Sequence, residues 1–110
     1  MIRDVGDARL FEECDAFYDA FARYARDCAA LDDAEAAGVE AHEIEGDRRR
    51  ASMRWREALR RISGIPARTV PGLLAKGGVL RGVLAQRPPD EDGGTDLFMS
   101  FLADLKKLLN

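Results

Sequence analysis

Residues 8–36 read ARLFEECDAFYDAFARYARDCAALDDAEA, and this stretch decides the fold. Its apolar positions follow one another at alternating spacings of four and three, which places side chains on one stripe of an α-helix. They are Leu10, Cys14, Phe17, Phe21, Tyr24, Cys28 and Leu31. Phe11, Tyr18 and Ala25 repeat every seven residues beside that stripe. This long helix is therefore predicted to pack on more than one neighbour.

The same helix carries signals for its two ends. Asp7 is expected to be its N-cap, because a carboxylate accepts hydrogen bonds from the unpaired N–H groups of a first helical turn. Gly38 is expected to follow its last turn as a left-handed C-cap, since glycine adopts a positive φ without steric cost.

A second helix is predicted over residues 40–63, where apolar positions again alternate by four and three. Its apolar face contains Ile44, Ala51, Trp55, Ala58, Leu59 and Ile62. Gly46 weakens the first turns by about 1 kcal/mol relative to alanine, so the ordered part is expected to begin nearer Asp47. The only tryptophan is expected to be buried in the contact between the two helices, against the aromatic residues Phe17, Phe21 and Tyr24.

Two shorter helices are predicted after a corner at Pro66. Thr69 is expected to cap the third helix, which carries Gly77 and Gly78 in its middle. Each of these glycines costs about 1 kcal/mol relative to alanine, so this helix is the one expected to bend or fray. Residues 88–94 read PPDEDGG and are predicted to be an acidic linker. A last helix rich in leucine and phenylalanine follows.

The predicted fold class is all-α, a long antiparallel helical hairpin followed by two shorter helices. The chain has 110 residues, of which 46% are hydrophobic and 34% charged, and these values fit a single helical domain over residues 1–110. No apolar run approaches the roughly 20 residues of a membrane span, and the first residues are acidic without an apolar core of a signal peptide. We therefore expect no membrane association and a cytoplasmic location in a bacterium.

Catalytic chemistry is poorly supported by the sequence. The only histidine is His42, and no serine or cysteine lies in a recognisable nucleophile motif. A helical di-metal site needs a Glu-x-x-His motif, but residue 39 is a valine. We expect no enzyme activity, no catalytic or metal-binding residues and no cofactor.

The two cysteines lie on the predicted stripe of the first helix. Fourteen helical residues separate Cys14 from Cys28 by about 21 Å, which is too far for a disulfide within one straight helix. Reduced, buried thiols are the favoured interpretation. The alternative is that two copies of this helix pair antiparallel near Phe21, which would bring Cys14 of one copy near Cys28 of the other.

Charge is unevenly distributed along the chain. Eleven acidic residues between Glu12 and Glu45 face two arginines, whereas seven arginines between Asp47 and Arg61 face two acidic residues. On a helical projection the arginines bracket the apolar face, so most are expected to cover the core and pair with neighbouring acids. The alternative is a surface for nucleic acid or an acidic partner, with Arg49, Arg56 and Arg60 as the candidate contacts.

The apolar surface exceeds what one hairpin covers, so a homodimer is predicted. The candidate dimer contacts are Phe11, Tyr18, Phe98, Phe101 and Leu105. Two functions follow from these patterns. The first is a non-enzymatic protein–protein interaction or regulatory module whose partner the sequence does not identify, and the second is a nucleic-acid-associated accessory protein that uses the arginine-rich helix.

The segment that begins at the tryptophan resembles a pattern in uncharacterised small all-helical proteins of alphaproteobacteria, some of them encoded near prophage genes. The matching residues are Trp55, Ala58, Leu59, Ile62, Pro66, Ala67, Arg68, Thr69, Gly72 and Lys76. The resemblance implies a long first helix, an acidic connection and a leucine-rich last helix over most of the chain. It implies no activity and no functional residues. The sequence departs from the pattern at Gly77 and Gly78, where alanine is expected.

Overall fold

A computed structural model describes residues 5–86 and 94–110, and these residues form an all-α fold without strands. The helices are α1 (Val5–Ala36), α2 (His42–Ser63), α3 (Val70–Gln86) and α4 (Gly94–Leu109). The predicted fold class is confirmed, with a long first helix followed by shorter ones. The predicted linker over residues 88–94 lies outside the described residues except for Gly94, which begins α4.

The first two helices form an antiparallel hairpin. At one end Arg61 Nε donates to Glu13 Oε1 at 2.7 Å, and toward the other end the side chains of Arg48 and Tyr24 interact. Gly38 is the left-handed C-cap of α1, as predicted, because its φ is 70°. Its N–H donates to Glu35 O at 3.1 Å and the Val39 N–H donates to Ala34 O at 2.9 Å. This pair of bonds satisfies carbonyls that the end of a helix leaves free.

Trp55 lies buried between α1 and α2, as predicted. Its ring is 6.1 Å from Phe17, 5.2 Å from Phe21 and 5.9 Å from Tyr24 between centroids, and all three contacts are edge-on. The Arg56 guanidinium lies 5.4 Å from the centre of the indole and covers it toward solvent. Edge-on aromatic contacts add to the apolar area that they bury, so this cluster is the centre of the hairpin core.

The last two helices form a second antiparallel hairpin that packs on the first. α3 packs against α1 and α4, and α4 packs against α2 and α3. α3 is continuous through its two central glycines, from Val70 to Gln86. A Cβ at Gly77 would lie 3.0 Å from Phe101 of α4, and a Cβ at Gly78 would lie 2.9 Å from the Tyr18 hydroxyl of α1. These glycines therefore let aromatic side chains from both neighbours approach the helix closely. The expectation that α3 bends or frays stays a prediction.

The second helix predicted over residues 40–63 is confirmed, since α2 runs from His42 to Ser63. The expectation that its ordered part begins nearer Asp47 is wrong, because the helix includes Gly46. Its first turn contains Glu43 and Glu45, which interact favourably with the positive end of the helix dipole. Glu45 also accepts a hydrogen bond from Arg48 Nε at 3.1 Å, one turn later. These interactions offset the roughly 1 kcal/mol that a helical glycine costs.

Replacement of Trp55 by alanine is expected to lower the free energy of unfolding by about 3 to 5 kcal/mol, because it leaves a cavity among three aromatic rings. Urea denaturation measures this loss. Trp55→Phe is expected to cost less, since phenylalanine keeps ring contacts and removes an indole N–H that has no acceptor among the described residues. Native tryptophan emission should be blue-shifted and move red on unfolding. Water-like emission from the folded protein would contradict this placement.

Candidate interaction surfaces

A buried lysine lies where α3, α4 and the end of α2 meet. Lys76 is 0% exposed, and its Nζ donates to the Ile65 carbonyl at 2.7 Å, the Ser100 hydroxyl at 2.9 Å and Asp104 Oδ2 at 2.6 Å. An ammonium group has three N–H donors, so each donor of Lys76 has an acceptor. A buried charge costs little only when it is both paired and fully hydrogen-bonded, and Lys76 meets both conditions.

Two buried carboxylates hold the corner between α2 and α3. Asp104 Oδ2 accepts the Ala67 N–H at 3.0 Å. Asp7 accepts the N–H of Arg68 at 2.9 Å and that of Thr69 at 3.0 Å, together with the Thr69 hydroxyl. We call Asp7, Lys76 and Asp104 the polar clamp. It links the first turn of α1 and the middle of α4 to one short segment of backbone.

Asp7 does not have the role that was expected from the sequence. Asp7 is not the N-cap of α1, because it lies inside that helix, which begins at Val5. Its carboxylate instead satisfies N–H groups at the start of α3. The predicted cap of α3 is confirmed, since the Gly72 N–H donates to Thr69 Oγ1 at 3.1 Å. Asp7 therefore stabilises an N-terminus that comes more than sixty residues later in the chain.

The residues of the polar clamp are suited to stabilising the fold and not to binding a substrate. All three N–H donors of Lys76 are used within the protein, and its side chain is inaccessible to solvent. Sequence reasoning missed this cluster, although a signal was present. Lys76 falls on the buried face of α3 with Leu73 and Val79, and Asp104 falls on the buried face of α4 with Leu97. Single charges at buried positions of two helices indicate a pair.

Lys76→Met and Asp104→Leu are each expected to lower the free energy of unfolding by about 3 to 5 kcal/mol, because each leaves one buried charge without its partner. The double variant should be less destabilised than the sum of the two, since it removes both charges. Urea denaturation of all four proteins measures this coupling. Lys106→Met, which changes an exposed lysine of α4, is the control and should have little effect. Additive losses would contradict the pairing.

Gly72→Ala is expected to destabilise the protein by about 1 to 3 kcal/mol, although alanine is the better helix former. The added Cβ would lie 2.7 Å from Asp7 Cγ and closer still to Oδ2, so it would push the carboxylate off the N–H groups that it accepts. Gly82→Ala on the same helix is the matched control, because nothing lies within 4 Å of its added Cβ. That change should stabilise by about 0.5 to 1 kcal/mol. Equal effects on thermal unfolding would contradict the close contact.

The five predicted dimer contacts lie on two helices, and both of these helices pack against α3. Phe11 and Tyr18 lie on α1, and Tyr18 lies close to Gly78 of α3. Phe98, Phe101 and Leu105 lie on α4, and Phe101 lies close to Gly77. Phe11, Phe101 and Leu105 are half-buried, whereas Tyr18 and Phe98 are exposed. Their role in a dimer stays a prediction.

Large apolar side chains lie exposed on the two helices that meet where Phe101 approaches Gly77. Leu74 and Leu84 flank Gly77 on α3, and Phe98 and Leu102 flank Phe101 on α4. These four side chains are exposed, with values that reach 69% for Leu74 and 43% for Phe98. Together with the half-buried Phe101 and Leu105, we call them the α3–α4 apolar face. Monomeric proteins rarely leave such a patch uncovered without a partner.

Six of the seven arginines of α2 fall into two groups. Arg48, Arg50 and Arg61 pair with Glu45, Asp47 and Glu13. The candidate contacts Arg49, Arg56 and Arg60 share one exposed flank of the helix, and none has a carboxylate within 4.0 Å in the described part of the chain. The expected pairing with neighbouring acids therefore holds for the first group and not for the candidate flank. Contact of this flank with nucleic acid stays a prediction.

The cysteines are free thiols in α1. Cys14 is buried, and burial, with a smaller contribution from the charge of Asp15, raises the pKa of its thiol to about 11. Its thiol therefore stays protonated and unreactive at neutral pH. Cys28 is half-buried. The alternative in which two copies of α1 pair through this stripe is incompatible with the fold, because α2 already covers the face that carries Cys14 and Phe17.

The polar residues at the start of α2 form no larger site. His42 is exposed and its Nε2 lies 2.6 Å from Glu40 Oε1. Within residues 5–86 and 94–110, no three metal-ligating side chains are grouped as a cation site would require. Over the same ranges, none of the helices combines the length and the apolar character that crossing a bilayer demands.

Comparison of this chain with known proteins identifies no relative. No family model, curated protein or solved structure matches this chain. The residues that carry the resemblance noted in the sequence have local structural roles, since Ala67, Arg68, Thr69, Gly72 and Lys76 all contact or belong to the polar clamp. The resemblance itself stays a prediction.

Proposed function

We propose that this protein is a non-enzymatic helical interaction or regulatory module that acts through the α3–α4 apolar face. The observation that carries this proposal is the exposure of large apolar side chains on that face, 69% for Leu74, 43% for Phe98 and 39% for Leu102. Burial of apolar surface contributes about 25 cal/mol per Å². Leucine and phenylalanine in a cluster therefore supply the main energy of a protein–protein contact.

The rigidity of the surface supports a role in binding. Lys76 and Asp104 tie α3 to α4 beneath the exposed stripe, and the Gly77–Phe101 contact fixes their spacing. A surface that is already ordered loses little conformational freedom when a partner binds. The same tie uses the donors of the one buried lysine, which favours an interaction role over catalysis.

The partner that fits the α3–α4 apolar face is a second copy, giving a homodimer. In a two-fold symmetric dimer two α4 helices would lie antiparallel, with their midpoints near Phe101 and Leu102. Asp96 near the start of one helix would then lie level with Lys107 near the end of the other, and each apolar stripe would cover its copy. Opposed helix dipoles and paired end charges both favour this orientation.

Phe98→Asp is expected to convert the homodimer to a monomer, because it places a charge in the centre of an apolar contact. Light scattering at tens of micromolar, above a dimer Kd of about 1 µM, measures the mass. Ala103→Asp adds the same charge at an exposed position of the same helix and should leave the dimer intact. Circular dichroism checks that both variants keep their helices. A wild-type chain that is a monomer under these conditions would contradict the homodimer.

A further inference from the structure

The free end of the first hairpin carries a cleft of about 470 Å³. Burial decreases along α1 after Tyr24, since Cys28 and Leu31 are only half-buried. The cleft is lined by α1, the turn and the start of α2, and its residues are Cys28, Leu31, Asp32, Glu35, Val39, Ala41, Glu45 and Arg48. It therefore lies apart from the α3–α4 apolar face.

The lining of the hairpin cleft combines apolar side chains with carboxylates. The half-buried Cys28 and Leu31 form its apolar floor, and Val39, which also lines the cleft, is 61% exposed. Glu45 is engaged by Arg48, which leaves the exposed carboxylates of Asp32 and Glu35 without a cation in the described part of the chain. A ligand for this cleft needs an apolar side chain flanked by positive charges.

The chain itself presents such a ligand on α2. Met53 is 61% exposed and lies one turn from both Arg49 and Arg56, with Arg60 one turn further on. We call these four residues the arginine–methionine stripe. Residues three or four apart on a helix are neighbours on its surface, so the methionine is bordered by guanidinium groups. Methionine is a flexible side chain that adapts to irregular apolar clefts.

We propose that the hairpin cleft of one copy binds the arginine–methionine stripe of another copy. Met53 would enter the apolar floor, and Arg49 and Arg56 would meet Asp32 and Glu35. The stripe and the cleft occupy different parts of the same hairpin, so each copy offers one of each and the contact joins copies into larger assemblies. It uses residues separate from the α3–α4 apolar face and does not depend on that face.

Nucleic acid fits the stripe less well. The stripe spans twelve residues, about 16 Å of helix between its first and last Cα, and exposed Glu43 lies less than two turns before Arg49. A duplex that continued along α2 past the stripe would meet this acidic end and be repelled. The second copy matches both the positive charge and the exposed methionine, whereas phosphates match only the charge.

Sedimentation velocity of the full chain in the Phe98→Asp background tests this contact alone, because that background lacks the proposed dimer face. The Debye length, beyond which salt screens the interaction between two exposed charges, is about 30 Å at 0.01 M and about 3 Å at 1 M. The average mass is expected to exceed that of a monomer at low salt and to return to it at high salt, with an association constant that falls about tenfold or more. A contact through the apolar face would not weaken as salt rises.

Two charge-reversed variants make the test specific. Arg49→Glu with Arg56→Glu changes the stripe, and Asp32→Lys with Glu35→Lys changes the cleft. Each variant alone should stay monomeric at low salt, and a mixture of the two should associate again, because each then meets an opposite charge. Reversal of Arg26 and Arg54, exposed arginines outside the stripe, is the control and should leave association unchanged.

Three results would overturn the proposal. The first is a mass that does not depend on salt, and the second is a mixture of the two variants that stays monomeric. The third is binding of a fluorescent 16-base-pair DNA duplex at low salt, lost in the stripe variant, in a chain that shows no self-association. That third outcome would assign the stripe to nucleic acid.

Discussion

The position of the second helical hairpin depends on the polar clamp. Asp7 from α1 and Asp104 from α4 accept hydrogen bonds from three successive backbone N–H groups, those of residues 67 to 69. Lys76 completes the clamp by pairing with Asp104 and by donating to the carbonyl of Ile65. Apolar packing alone tolerates sliding between helices, whereas these bonds require one register. The clamp therefore determines which side chains α3 and α4 turn toward solvent.

The consequence for function is a division of the surface into two chemically different regions. The α3–α4 apolar face offers leucine and phenylalanine. The first hairpin offers charge, with the hairpin cleft negative at its free end and the arginine–methionine stripe positive along α2. Because salt weakens contacts between charges and leaves apolar contacts largely intact, the two proposed association reactions can be separated experimentally.

The sequence predicts the helices well because their apolar spacing is strong, and Trp55, Gly38 and Thr69 have the local roles that their residue types indicate. It predicts the polar clamp poorly, since Asp7 has the pattern of an ordinary N-cap and only the tertiary structure places its carboxylate at α3. The close contacts at Gly77 and Gly78 are missed for a related reason, because helix propensity does not include the side chains of neighbouring helices. Sequence periodicity also cannot show that Tyr18 and Phe101 approach neighbouring glycines of α3 from two different helices.

Hydrogen exchange of the backbone amides of Ala67, Arg68 and Thr69 tests the role of the polar clamp most directly. These residues lie outside regular helix, so their N–H groups are protected only if the carboxylates of Asp7 and Asp104 hold them. If the polar clamp holds these three amides, we expect them to exchange as slowly as the amides in the buried middle of α3, through global unfolding of the domain. Exchange at the rate of an exposed loop, while α3 stays protected, would contradict it.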